Sequence, residues 1–303
     1  MKATSENPGL CVTLPRQNAH LPCVNSAFVP VESLDSEACG GRLKCNAANP
    51  KAVGPLEVWQ ETLPVRFGDI DRSDRLTMDG AFRFFQEAAI CHAENLGVGL
   101  KDLARTGQAW IISRMSAMMN RRPKYCETVT VRSWPRGAEK LFALRDYDIR
   151  DKDNIAAVSA CSCWLIVDIE KRRPVRPQPI MDGLPKNEGL EALSWIPAGL
   201  EERGNLQKSS ERKALYTDID YNGHVNNVRY IQWIEDAIDP LLLEKAEKMR
   251  FDINYLNEVL GGEIVDIMYV SLKDESCSGA FAFEGRKAAS GQAAFRAELR
   301  LWE

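Results

Sequence analysis

One stretch of the chain gathers the side chains of hydrolytic chemistry: Asp220-Tyr-Asn222-Gly-His224-Val-Asn-Asn227-Val-Arg-Tyr230. A carboxylate, an amide and an imidazole stand at alternate positions, and an amphipathic segment, Val228–Ile238, follows at once. Asn222 or a neighbour can cap that helix, because a side-chain oxygen there satisfies a free N–H of the first turn. Polar groups at a helix N-terminus also face a partial positive charge that stabilises a developing anion. Such a place can polarise a carbonyl. Asn, Asp and Gly are also what any turn before a helix uses, so spacing alone leaves an ordinary cap as an equal reading. Of the three histidines, His20, His92 and His224, only the last keeps this company.

The elements that must position these groups occur twice. Phe67-Gly-Asp-Ile-Asp71 matches Tyr216-Thr-Asp-Ile-Asp220, 149 residues further on. Each leads into a helical segment, Asp79–Leu96 and then Val228–Ile238 onward. Phe82, Phe85, Ala89, His92 and Leu96 recur at helical spacing, as do Val228, Ile231, Ile234 and Ile238, which marks one buried face on each. Strand-like runs follow the first helix at Trp110–Met119, Glu127–Trp134, Leu141–Ile149 and Ala156–Ile169. Others follow the second at Glu263–Val270, Gly279–Glu284 and Ala293–Trp302. A helix covering several antiparallel strands, repeated once, predicts an α+β fold. At the same offset Asn222 falls on Ser73 and His224 on Arg75, so the first copy keeps Asp71 without its partners.

The pattern D-x-N-x-H-V-N-N-V-[KR]-Y resembles the signature of the acyl-acyl carrier protein thioesterases, the plant FatA/FatB family and its bacterial relatives. In that family a Glu lies downstream in a Y-x-x-E-C-like stretch, and Tyr255-Leu-Asn-Glu258-Val259 fits it, 34 residues past His224. The resemblance runs over residues 56–303. It implies a tandem double hot-dog fold, two curled antiparallel sheets each wrapped around a long helix. The N-terminal hot-dog, 56–184, would house the acyl chain; a linker, 185–210, would cross the outside; the C-terminal hot-dog, 211–303, would be catalytic. Phe82, Phe84, Phe85 and Trp110–Met119 are tunnel candidates, although phenylalanines at helical spacing are more often plain core. The implied activity is hydrolysis of fatty acyl-carrier-protein to free fatty acid and holo-carrier, ending fatty-acid synthesis. The implied partner is a small acidic carrier protein bearing the acyl chain on a phosphopantetheine arm. Arg121-Arg-Pro-Lys124 and Lys171-Arg-Arg173 with Arg176 are the basic clusters able to meet it.

The catalytic set implied is Asp220, Asn222, His224 and Glu258. A thioester is already activated, its leaving thiol having a pKa near roughly 8.5. Either a histidine-activated cysteine or a carboxylate-activated water could attack it. Many family members carry Cys after the Glu, but Val259 stands here and cannot be a nucleophile. Water attack with Glu258 as general base is therefore favoured. His224 would bond the water or the carbonyl, Asn222 would position the water or donate to the oxyanion, and Asp220 would orient its neighbours. Backbone N–H groups near Val225 and Asn226 are further oxyanion donors. Plainer readings stand beside these: Glu258 as a surface carboxylate at a strand end, Asp220 as a structural residue like the surviving Asp71.

Composition excludes other classes. A net charge of −4 argues against nucleic-acid binding, and no apolar run reaches the roughly 18 residues that span a bilayer. Nine scattered cysteines read as reduced thiols. Cys161-Ser-Cys163 reads as strand packing, and neither a metal nor any other cofactor is expected. Residues 1–55, rich in Asn, Ser, Pro, Ala and Gly, read as a disordered extension. Glu6, Glu32, Asp35 and Glu37 count against a transit peptide, and a start codon assigned too early would look the same. The expected compartment is the cytoplasm, or the plastid stroma in a plant or alga; a homodimer is left open. Two other functions are weighed: a hot-dog acyl-CoA thioesterase, and a non-catalytic acyl-thioester-binding or regulatory protein. Acyl-carrier and acyl-CoA substrates share the pantetheine arm, so the site residues do not separate them, while a mere binder has no need of all four.

Overall fold

A computed structural model describes residues 56–303, and the extension expected at 1–55 lies outside the described residues. The first copy supplies β1 (Trp59–Pro64), α1 (Met78–Asn95), α2 (Leu100–Arg105), β2 (Gln108–Met119), β3 (Thr128–Glu139), β4 (Phe142–Arg150), β5 (Ala156–Asp168), β6 (Arg173–Val175) and α3 (Gln178–Met181). The second supplies β7 (Gln207–Lys213), α4 (Asn227–Glu235), α5 (Pro240–Lys245), β8 (Lys248–Tyr255), β9 (Ile264–Ser271), β10 (Gly279–Lys287) and β11 (Ala293–Trp302). The strands join into one antiparallel sheet in the order β1-β3-β4-β5-β2-β8-β11-β10-β9-β7, with β6 paired to β5. β2 and β8 form the seam between copies, with Arg114 opposite Asn254 and Met119 opposite Met249.

The concave face holds the helices because alternate strand residues are apolar there. Met249, Phe251 and Ile253 of β8 are buried, and Phe82 of α1 meets Phe251 edge-on at 5.8 Å between ring centroids. Phe85 lies 5.1 Å from Tyr147. The phenylalanines of α1 are thus core residues. α1 starts where Thr77 accepts the Gly80 N–H. Gly80 is needed there, since a Cβ would come within 2.7 Å of the Asp69 carbonyl oxygen. The second helix is shorter than its periodicity predicts: it ends at Glu235, and α5 restarts with Asp239 as cap and Pro240 in its first turn. Proline supplies no N–H and starts helices more readily than it continues them.

Between the copies, residues 185–206 run as a strap across the outer face. Trp134 Nε1 donates to Leu190 O at 2.8 Å, the Ala192 N–H to Asp146 at 2.9 Å, and Arg136 to Leu193 O at 3.0 Å. On the second copy Asn254 donates to Ala198 O at 3.0 Å and accepts from the Leu200 N–H at 2.7 Å. Cys126, Cys161, Cys163 and Cys277 are free thiols. Among the described residues no helix is long and apolar enough to cross a membrane.

Candidate active site

His224 stands between two carboxylates. Its Nδ1 is 3.8 Å from Asp220 Oδ1, and its Nε2 is 4.0 Å from Glu258 Oε2. Each of the three side chains is about a fifth to a quarter exposed, although Glu258 Oε2 itself is buried. Both distances exceed a direct hydrogen bond. An oxygen that bonds both must sit beside the line joining His224 Nε2 and Glu258 Oε2, since 4.0 Å is shorter than two hydrogen bonds end to end.

The backbone explains why these residues meet. Asp220 N–H donates to His224 O at 2.9 Å and the Asp220 carboxylate accepts the Asn222 N–H at 2.8 Å, which closes the turn. Gly223 takes φ +86° at its tip, a region costly for other residues. His224 then bridges to Leu260, two residues past Glu258, and the Val225 N–H donates to Val259 O at 2.8 Å. Beneath lie Tyr230, Tyr255 and Phe295, with ring centroids 5.1 to 6.0 Å from Tyr230. Burial pushes the phenols of Tyr230 and Tyr255 well above their ordinary range, so both stay neutral.

The structure narrows several sequence-based expectations. Of Asn222 and its neighbours, the helix cap is Asn226, which accepts the Val228 N–H at 2.9 Å. Asn222 is exposed at the turn, and its side chain makes no hydrogen bond among the described residues. The N–H groups of Val225 and Asn226 are committed to Val259 O and Asp218 O, both at 2.8 Å, so neither is free to hold an oxyanion. Val259 is fully buried. Cys277 lies at the far end of the sheet, beside Gly279 opposite Leu301, whereas Glu258 follows Tyr255 opposite Phe295.

The first copy reproduces this scaffold bond for bond. Asp71 N–H donates to Arg75 O at 2.9 Å, Asp71 accepts the Ser73 N–H at 2.8 Å, and the Leu76 N–H donates to Pro123 O at 2.8 Å. Arg75 bridges to Lys124 as His224 does to Leu260. Glu258 therefore corresponds to Arg122, an offset of 136 residues where the helical half keeps 149. Arg122 is buried and pairs with Asp71 at 2.5 Å. Burial alone would raise Asp71, but bonds from Ser73 and Arg122 hold it below the ordinary carboxylate range. An internal ion pair occupies the place where the second copy has an acid–imidazole pair.

The basic clusters also separate. Arg121 is tied to Glu127 at 2.6 and 2.9 Å and to Asp151 at 3.4 Å, and Arg122 is buried. Of that cluster only Lys124 is left as an exposed cation clear of an ion pair. Lys171, Arg172, Arg173 and Arg176 are exposed, Lys171 pairing with Asp168 at 3.2 Å. They sit beyond Asp168, which pairs with Gln108 at the end of β2 towards which β8 runs to Glu258. The Arg121 cluster lies past the other end of β2, 12 residues away and so on the order of 40 Å.

Two curled half-sheets joined at one seam, each with its helix, and a histidine–carboxylate cluster at one of two related turns define a tandem hot-dog protein. The chain belongs to the acyl-ACP thioesterase family: the acyl-ACP thioesterase N-terminal domain matches residues 57–182 and the C-terminal domain residues 201–300. It is 26% identical to a chloroplastic palmitoyl-acyl carrier protein thioesterase of Cuphea hookeriana over 217 residues, 66% of this chain and 52% of that protein. It is 24% identical to the chloroplastic oleoyl-acyl carrier protein thioesterase 2 of Arabidopsis thaliana over 234 residues, 70% of this chain and 63% of that protein. The chain spans about half the length of the Cuphea relative. Two crystal structures share the fold: an acyl-ACP thioesterase from Bacteroides thetaiotaomicron (TM-score 0.67, 24% identity, 80% of this chain, 97% of that one) and a 12:0-ACP thioesterase from Umbellularia californica (TM-score 0.70, 18% identity, 81% and 97%).

Proposed function

We propose that the protein hydrolyses fatty acyl-carrier-protein thioesters, releasing a fatty acid and the free carrier thiol. The observation that carries this reading is His224 Nε2 standing 4.0 Å from Glu258 Oε2 at the one of two related turns that carries an imidazole. A water between the two gives up a proton to Glu258 while bonded to His224. Its oxygen attacks the carbonyl carbon and forms a tetrahedral anion. Collapse of that anion breaks the C–S bond, and the proton held by Glu258 neutralises the departing thiolate. Removing one well-placed general base costs about 10² to 10⁴ in rate. Asp220 holds the turn through the Asn222 N–H, and Asn222, exposed at the tip, is free to turn towards a bound substrate. The buried Val259 supports water over a cysteine nucleophile.

The acyl chain lies in the first copy, along the half-buried start of β2 that adjoins the end of β8. The acidic carrier docks on Lys171, Arg173 and Arg176, whose position at the site's end of the sheet supports this surface over Arg121–Lys124. The reading puts the protein in the cytoplasm or a plastid stroma; light scattering of the purified chain would settle whether it pairs as a homodimer. The test of function is thiol release from a C8 to C18 panel of acyl-carrier-proteins and the matching acyl-CoAs. Turnover of the carrier series supports the reading, preference for acyl-CoA replaces the carrier with coenzyme A, and tight binding without turnover makes the protein an acyl-thioester binder.

A further inference from the structure

The two copies differ beside the turn that carries Asp220. In the first, Tyr125 packs edge-on against Phe67, with ring centroids 6.0 Å apart. The equivalents are Gly261 for Tyr125 and Tyr216 for Phe67, fixed by matching bonds: the Cys126 N–H to Val65 O at 3.0 Å, the Gly262 N–H to Ala214 O at 2.8 Å. Without the ring of Tyr125 the second copy has an open groove lined by Leu215, Tyr216, Ile219, Asp220, Tyr221 and Gly261. Tyr216 is 94% exposed, against 79% for its counterpart Phe67, and Tyr221, which stands where the first copy has Arg72, is 76% exposed. The charges have gone as well. Leu215 replaces Arg66, and Tyr221 replaces Arg72, which pairs with Glu244 in the first copy.

We infer that this groove holds the pantetheine arm of the thioester, a reading that rests on the proposed hydrolase function. The groove runs to Asp220, so an occupant can reach the cluster at His224. Its walls are apolar and phenolic, with Asp220 at the inner end, which suits a slender uncharged chain bearing two amides and a dimethyl group. The surface of an acidic carrier fits poorly, since Asp218, Asp220 and Glu263 stand close by. Glycine at 261 leaves the width free: a Cβ there would meet nothing closer than Ile219 at 3.7 Å, so a side chain can be restored without disturbing the backbone.

The test is binding, read by calorimetry without turnover, of two probes with the same tail: S-dodecyl-pantetheine and S-dodecyl-N-acetylcysteamine. In the wild type the longer arm should bind about tenfold more tightly. Gly261→Tyr, which restores the ring of the first copy, should abolish that advantage and leave the shorter probe unchanged. Tyr216→Ser should reduce the advantage without adding bulk, which keeps the test open if Gly261→Tyr fails to fold. Equal affinity of the two probes in the wild type, no binding of either, or an advantage that survives both substitutions would overturn the inference. Hydrolysis assays judge the parent reading separately, since an arm can bind to a protein that does not cleave it.

Discussion

Glu258→Gln keeps the size and shape of the side chain and removes its ability to accept a proton. The glutamate makes no direct hydrogen bond to His224, because 4.0 Å is too long. Its side chain is 21% exposed, although Oε2 itself is buried, and glutamine is of the same size. The melting temperature should therefore stay within a few degrees of wild type. Loss of the base should lower kcat by about 10² to 10⁴, or roughly 2.7 to 5.4 kcal/mol of barrier at 1.36 kcal/mol per tenfold. KM should move little, since the carboxylate contacts the water and not the acyl chain. His224→Ala should lower kcat comparably. If the two hold one water, the double variant should fall no further than the slower single variant. Asp220→Asn should lose less than about tenfold, because at 3.8 Å Asp220 makes no direct bond to the ring. The assay is thiol release from acyl-carrier-protein at saturating substrate, with circular dichroism to confirm the fold. A Glu258→Gln enzyme that folds and keeps more than a tenth of wild-type kcat would refute the assignment of Glu258 as base.

Other expectations follow from charges elsewhere. Glu235 accepts the Met78 N–H at 3.0 Å, and burial, with Asp79 close by, pushes its carboxyl up to about 8 from an ordinary 4.5. Its contribution to stability is complete below pH 4.5 and is lost as pH rises to about 8. Glu235→Gln should match wild type in thermal melts at pH 4.5 and exceed it at pH 9; parallel melting curves across that range would contradict the burial of this charge. Arg122→Ala strips Asp71 of its partner and leaves the carbonyls of Leu76 and Leu243 without a donor. Breaking a buried pair costs about 3 to 5 kcal/mol, so melting should drop by roughly 10 °C while kcat of the remaining folded enzyme is preserved; an unchanged melting point would count against the pair. Neutralising Lys171, Arg173 and Arg176 together should raise KM for acyl-carrier-protein several-fold at low salt and barely at high salt. A salt-independent rise would remove that surface as the docking site.

Much of the arrangement was legible in the sequence because local rules decide it. The repeated Asp-Ile-Asp turns, the periodic faces of α1 and α4, and seven strand-like runs all lie within a few residues of their elements. β8 escaped notice although Met249, Phe251 and Ile253 alternate, because the helical pattern before it was carried past Pro240. β7, Gln207–Lys213, has almost no apolar residue and is a strand only because it pairs with β9 at the sheet edge. At the site, Asp220, His224 and Glu258 converge, while Asn222 stays out at the turn. That Arg122 matches Glu258 was hidden because the repeat changes offset between helix and strand, and only backbone bonds restore the alignment. The commitment of the Val225 and Asn226 N–H groups was equally hidden, since their acceptors are Val259 O and Asp218 O, set by tertiary pairing.

The strap of residues 185–206 has a consequence for how such a protein can change. It tethers the copies covalently, and a short tether keeps its ends at an effective concentration in about the millimolar range. Six residue pairs at the β2–β8 seam then need not supply the affinity that two free subunits would require. Two identical subunits must also present one sequence to both halves, so any substitution falls twice. Here each side of the seam can drift alone. Arginine could replace the glutamate equivalent in one copy without harm to the other, and a ring could be kept in one groove and dropped from its twin. The covalent link is what permits one chain to hold an acid–imidazole pair at one turn and an ion pair at the other.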